Sequence, residues 1–196
     1  MAVFAHFVKW TLGLATAESA TSRAEADALA RHARGKKRLA EIGVWEGRTT
    51  RRLRAVMAAD ATLYAVDPFP RGRLGFSTQR AIATREIASV ANGTVVWVRK
   101  TAAHAAADPQ VVDAGGFEFV FLDALHTYEG LREDWTAWSP LVAPGGVIAI
   151  HDSRSTPGGH GEDVGGVRFT SEVILKDARF ELAEAVDSLT VLLRKR

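Results

Sequence analysis

The chain of 196 residues contains no cysteine. Disulfides, thiolate metal sites and a cysteine nucleophile are therefore excluded. Redox logic then leaves the compartment undetermined, with the cytoplasm as the default expectation. A run of ~18 apolar residues is also missing, so no membrane span is expected. Ala2–Leu14 is apolar, but His6 and Lys9 interrupt it and no basic segment precedes it. It reads as an amphipathic helix and not as a signal peptide. Excess charge of one sign is nearly absent, with 25 Lys and Arg against 23 Asp and Glu. No dedicated nucleic-acid surface is expected from that balance. No insertion is long enough for a separate substrate domain.

What is present is ample apolar content, 47% of residues, enough for a sizeable core. Length points to one domain over residues 1–196, with N-terminal helices in 1–35 and an α/β core in 36–196. Val3, Phe4, Phe7, Val8 and Leu12 recur near helical spacing, as a flank helix, a lid or a dimer contact would require. Ser22-Arg-Ala-Glu25 is a capping box, and Gly35 a stop, for a second helix. Apolar strands are expected at Leu39–Ile42, Thr62–Val66, Thr94–Val98, Phe117–Leu122 and Val147–Ile150. Helical patterns lie between them at Thr49–Ala59, Thr78–Val90, Ala103–Ala107 and Tyr128–Trp138. Asp108-Pro109 reads as a break, Pro144-Gly145-Gly146 as a turn, and Trp135 and Trp138 as core. A glycine-rich loop over Pro157–Gly166, a helix near Thr170–Lys176, and strands at Phe180–Ala185 and Leu189–Leu193 complete the chain. Alternating strands and helices call for a Rossmann-like, doubly wound, seven-stranded sheet. The Val186-Asp187-Ser188 connection is too short for a parallel crossover, so the last strand is antiparallel.

The chain is organised around Arg38–Gly47, a short strand, a glycine turn and a helix start. Open α/β sheets bind nucleotide-like ligands at such a turn. Gly43 and Gly47 let backbone approach closely there, and the helix start turns N–H groups toward the site. Asp67 ends the second strand 20 residues after Gly47, the place of a ribose-hydroxyl ligand. A plain strand-end cap before proline is the alternative. Asp123, His126, His151 and Asp152 stand at the carboxyl ends of the fourth and fifth strands.

With these pieces placed, the chain resembles class I S-adenosylmethionine-dependent methyltransferases from about Leu39 onward. Glu41-Ile-Gly43-Val-Trp-Glu-Gly47 is similar to that family's first motif. Leu122-Asp123-Ala-Leu-His126-Thr-Tyr-Glu129, Pro144-Gly-Gly146 and His151-Asp152 resemble a small O-methyltransferase subgroup, grouped with cephalosporin-hydroxylase-type and macrolide-sugar enzymes. The resemblance implies donor contacts from Glu41, Gly43, Val44, Trp45, Gly47, Thr49, Asp67, Thr101, Ala102 and Asp123. In catechol-type relatives a divalent ion is held after strands four and five, which implies Asp123, His151 and Asp152 here. A lysine base of that family is matched by His126. His151 in place of a carboxylate suits Mg²⁺ less well than Mn²⁺ or a later metal.

Methyl transfer needs donor and acceptor aligned and the acceptor hydroxyl deprotonated. Imidazole ordinarily titrates near neutral pH, so His126 is the candidate to take that proton, with Asp123 as the second catalytic candidate. Structural alternatives exist: His126 or Asp152 as a cap, and Asp123 contacting the donor's amino group without metal. Trp45 either shields the donor or packs under the turn. His104 and His160 read as incidental, and His6 and His32 as surface or packing residues. The expected partner is a small hydroxyl compound, not nucleic acid or membrane, recognised by the N-terminal helices, the Arg71–Phe76 and Pro157–Gly166 loops, or a second copy in a homo-oligomer. A nicotinamide oxidoreductase would carry Gly-x-Gly-x-x-Gly, which is missing. Base methylation would need a cysteine or an Asn/Asp-Pro-Pro-Tyr motif, also missing. A non-catalytic donor-binding protein of the same fold is the remaining alternative.

Overall fold

The computed structural model describes residues 2–72, 75–156 and 165–196. Most of the expected Pro157–Gly166 loop, with His160, lies outside these residues, as do Arg73 and Leu74 of the loop after strand two. The described helices are α1 (Ala2–Thr11), α2 (Arg23–Ala33), α3 (Arg48–Val56), α4 (Thr78–Ala88), α5 (Ala102–Ala106), α6 (Pro109–Val112), α7 (Tyr128–Trp138) and α8 (Gly165–Glu172). The strands are β1 (Arg38–Ile42), β2 (Thr62–Val66), β3 (Thr94–Val98), β4 (Phe117–Leu122), β5 (Val142–Ile150), β6 (Phe180–Val186) and β7 (Leu189–Arg194). They form one sheet in the order β3-β2-β1-β4-β5-β7-β6. Strands β1 to β5 pair in parallel, and β7 runs antiparallel to both β5 and β6. The expected doubly wound sheet with a reversed last strand is therefore observed.

Alternation along the buried strands builds a core on each face. Ala40 and Ile42 of β1 join Val120 and Leu122 of β4 beneath Leu131, Trp135 and Trp138 of α7. Leu39, Phe119 and Phe121 face the other way, onto Leu29 of α2 and Leu53 of α3. Burying each such large side chain is worth roughly 1.5–3 kcal/mol, so the helices are held chiefly by the sheet. Trp138 is fully buried and donates its indole N–H to the Ala102 carbonyl at 3.0 Å, which satisfies its one polar atom.

Local chemistry accounts for the boundaries. Ser22 and Glu25 form the anticipated capping box of α2. The Asp108-Pro109 break is also a start: the Asp108 side chain accepts the Gln110 N–H, and proline occupies the first turn of α6. Proline lacks only an N–H that would be unpaired there anyway. The Pro144-Gly145-Gly146 turn is corrected to an excursion inside β5. Phe117 pairs with Val142 and Phe119 with Val147, so the intervening residues bulge outward, with Gly145 at φ 77°. The helix expected near Thr170–Lys176 begins earlier, at Gly165, and ends in a 3-10 turn over Ile174–Lys176. Gly165 and Gly166 are thus helical: a side chain on Gly165 would overlap the Tyr128 backbone, so glycine lets α8 reach α7.

Helix α1 packs on α4 through Trp10, with Arg85 over its ring, while Phe7 stacks on Trp10 and meets Phe76 ahead of α4. Val3, Phe4, Val8 and Leu12 face solvent. The helix is a flank element with an outward apolar face.

Gly47 is required by packing. A Cβ there would lie 2.9 Å from Ala83 Cα of α4, and its φ is +76°. Gly35 has a similar φ, +68°, with open space around it. Gly35→Ala should therefore cost about 1 kcal/mol, for left-handed backbone alone. Gly47→Ala should cost about 1–3 kcal/mol more through overpacking. Urea denaturation of the two variants checks the difference; equal losses would contradict it.

Candidate functional site

The strand order reverses between β1 and β4, and a cleft of about 660 Å³ opens at the carboxyl ends of these strands. The glycine turn forms its floor. Gly43 has φ +94°, and a side chain on it would overlap the Asp123 carbonyl, so only glycine lets the β1 and β4 exits meet. Asp67, at the end of β2, accepts the N–H groups of Val44 and Trp45 at 3.1 Å each and that of Phe69 at 2.8 Å. The acid therefore ties the glycine turn to β2 while lining the cleft.

Of the anticipated donor residues, Glu41, Gly43, Val44, Trp45, Thr49, Asp67, Thr101, Ala102 and Asp123 line this cleft, as does His126. Gly47 does not line it. Trp45 stands out at the rim, 49% exposed, which removes the reading that it packs under the turn. Glu41 is buried, and its Oε2 lacks a partner. Burial pushes its carboxyl well above the ordinary range, and the charges of Asp123 and Asp67 add to that.

The four residues at the ends of β4 and β5 converge beside the cleft. His126 lies with Nε2 3.8 Å from Asp123 Oδ1 and Nδ1 3.5 Å from Asp152 Oδ2. Its backbone carbonyl accepts the Gly166 N–H at 2.9 Å, so α8 helps place it. His151 is buried, with Nδ1 3.0 Å from Asp123 Oδ1 and 3.6 Å from Asp152 Oδ2. The first contact is within ion-pair reach, yet no hydrogen bond is completed at Nδ1. Asp152 holds a left-handed φ of 46°, an uncommon conformation that lets the chain turn immediately after the strand. Among the described residues, Asp123, His126 and His151 bring ligand atoms within 4.8 Å of one another, and so do His6, Glu18 and Glu46. A divalent ion fits the first of these donor sets, in which a carboxylate faces a buried ring nitrogen with no completed bond.

Sequence reasoning missed the supporting carboxylates. Glu25 reads as a capping residue, and it is one. Its side chain also lies 3.3 Å from His151 Nε2 and accepts the N–H and hydroxyl of Ser188. Burial would raise the Glu25 carboxyl, but hydrogen bonds from His151, Ser188 and Ser22 outweigh it and hold it at about 2. Burial likewise lowers His151, but Asp123 and Glu25 outweigh it and push the imidazole up to about 10. Glu46, inside the glycine turn, accepts the Glu18 N–H at 2.6 Å and meets His6 Nε2 at 3.1 Å. It thereby pins the N-terminal segment over the cleft. Capping spacing was the only signal for Glu25, and nothing in the pattern marked Glu46.

Seven strands in this order, the glycine turn and the acid after β2 define a class I methyltransferase fold. The chain belongs to the methyltransferase family, whose domain model matches residues 40–153. Comparison with curated protein sequences gives no significant match. Among solved structures, the chain is similar to the O-methyltransferase TomG of Streptomyces achromogenes in complex with S-adenosylmethionine. The two share 19% identity and a TM-score of 0.71, over 98% of this chain and 88% of that one. Cofactor-bound Rv0187 from MTB shares 17% identity and a TM-score of 0.69, over 100% and 91%. An rRNA methylase from Streptococcus thermophilus shares 12% and 0.58, over 87% and 94%. The shared fold thus spans different acceptor classes.

Asp134 of α7 also lines the cleft, 4% exposed. Burial, then the charge of Glu133, pushes its carboxyl from 3.8 up to about 6. The folded state therefore holds more protons than the unfolded one between pH 4 and pH 6. This residue's contribution to stability falls as pH rises through that window, by about 3 kcal/mol. Asp134→Asn keeps an acceptor for the Leu125 N–H that Asp134 engages. The variant should match wild type near pH 3.5 and be more stable at pH 7. A stability difference that does not change with pH in denaturant titrations would refute this.

Proposed function

We propose that the protein transfers a methyl group from S-adenosylmethionine to the hydroxyl of a small organic molecule. The observation that carries the reading is the meeting of His126, Asp123, His151 and Asp152 beside the cleft over the glycine turn. The family and the fold supply the donor class. The convergent side chains supply what an oxygen acceptor needs.

The acceptor oxygen attacks the methyl carbon in line with the breaking carbon–sulfur bond, and the sulfur leaves as a neutral thioether. The hydroxyl proton passes to His126, whose imidazolium is then stabilised by the Asp123 and Asp152 carboxylates on either side. Asp67 and the glycine turn hold the donor, and Trp45 covers the cleft's rim. Asp123 and His151 would hold a divalent ion, which when bound would polarise the acceptor oxygen. The lining carries six acidic side chains (Glu18, Glu41, Asp67, Asp123, Glu133 and Asp134), of which burial favours the neutral form of Glu41, against Arg48 and Lys100. Lys100 is already paired with Asp108 at 2.8 Å. Such a cleft favours a sulfonium donor and repels a polyanion, which argues for a small acceptor over RNA.

Labelled donor incubated with a panel of small hydroxyl compounds should yield a methyl ether and demethylated donor. Calorimetry should detect binding of the demethylated donor; no binding at millimolar concentration would refute the reading. Asp67→Ala should weaken that binding by roughly tenfold or more, because it loses a ligand and frees the turn. His126→Ala should lower turnover at neutral pH by about 10²–10⁴-fold, with partial recovery at high pH where the acceptor ionises unaided. An unchanged pH–rate profile in that variant would remove His126 as the base.

A further inference from the structure

We propose that Glu25, on α2 and outside the family-matched segment, is a positioning residue of the Asp123–His151 centre. By committing His151 to ligate through Nδ1, it makes that centre select a first-row transition dication such as Mn²⁺ over Mg²⁺. The inference rests on the methyl-transfer reading only in taking this centre as part of the working site.

The two ring nitrogens of His151 have different surroundings. Nε2 faces Glu25 Oε2 at 3.3 Å, and both side chains are 3% exposed. Glu25 itself has no freedom to move. Its Oε2 accepts the Ser22 N–H at 2.7 Å, and its Oε1 accepts the Ser188 N–H at 2.9 Å and hydroxyl at 2.7 Å. Phe121 meets the imidazole edge-on, with ring centroids 6.4 Å apart. The ring is therefore fixed in rotation and tilt. Nδ1 is buried without a completed hydrogen bond, 3.0 Å from Asp123 Oδ1 and 3.6 Å from Asp152 Oδ2.

An imidazole with one nitrogen held by a buried carboxylate and the other turned toward further carboxylates has the arrangement of a metal-bound histidine, and an ion there would displace the Nδ1 proton that Asp123 favours in its absence. Removing such an outer carboxylate typically costs 10–100-fold in metal affinity. A nitrogen donor also decides which ion is taken. Mg²⁺ prefers oxygen ligands and keeps its waters, whereas Mn²⁺ and later ions accept imidazole readily. Glu25 is bonded at the same time to the Ser188 turn between β6 and β7. The N-terminal helix and the closing hairpin thus converge on one metal-directing side chain.

The test uses the full chain with Mn²⁺ and Mg²⁺ as probes, followed by calorimetry and by pulsed electron paramagnetic resonance of bound Mn²⁺. Wild type should bind Mn²⁺ at least roughly tenfold tighter than Mg²⁺ and show nitrogen hyperfine coupling that shifts with ¹⁵N-histidine labelling. Glu25→Gln should weaken Mn²⁺ binding by about 10–100-fold, while Mg²⁺ affinity changes less. Ser188→Ala, which removes one hydroxyl bond but leaves Glu25 facing His151, should keep the wild-type Mn²⁺ affinity. Equal affinity for the two ions, or the absence of nitrogen coupling in wild type, would overturn the proposal even if Glu25→Gln fails to fold. A folded Glu25→Gln with wild-type Mn²⁺ affinity would overturn it as well. Binding of demethylated donor, measured without metal, separates the two readings. Its loss would sink methyl transfer, whereas its presence with a failed metal result would sink only the role of Glu25.

Discussion

The approach of the β1 and β4 exits at Gly43 is the constraint on which the rest of the site depends. A side chain at that position would overlap the Asp123 carbonyl. Without one, two parallel strands leave the sheet side by side and their loops diverge to opposite flanks. That divergence is the cleft. It lets Asp67 collect the Val44 and Trp45 N–H groups on one side, and it sets Asp123 against the β5 exit on the other. Two glycines of one turn therefore serve different ends. Gly43 allows strand exits to meet, and Gly47 allows α3 to rest on α4.

Around that junction, burial and charge act against each other. Desolvation penalises every ion placed there, so each must find a partner or change its proton affinity. Glu25 and His151 take the first course: their mutual contact and the bonds around them outweigh burial, moving one group down and the other up. Glu41 and Asp134 take the second and bind protons more tightly than ordinary carboxyls. The resulting cleft is rich in acids, some of them ionised. Such an environment attracts a cation.

The segment ahead of the α/β core is more than a flank. Glu18 and Glu46 hold it against the glycine turn, and Glu25 reaches His151 from α2. The family match begins at residue 40, after this segment. The outward apolar residues of α1 are not used in these contacts.

The sequence alone determined the architecture. Strand and helix periodicity, the capping box at Ser22 and Glu25, and the short connection before β7 are local signals, and local sterics enforce them. The glycine turn, Asp67 and the acids and histidines after β4 and β5 were legible for the same reason: parallel sheets place strand ends at one edge. Tertiary structure alone decided which of those groups touch. Glu25 and His151 are 126 positions apart in the chain, and Glu46 and His6 are 40 apart. No periodicity links such pairs, because their contact depends on how α1 and α2 fold back over the sheet. The same holds for Gly47, whose need for a missing side chain comes from Ala83 on another helix. Patterns along a chain report neighbours in sequence, whereas burial, proton affinity and the partner of each ring nitrogen are set by neighbours in space.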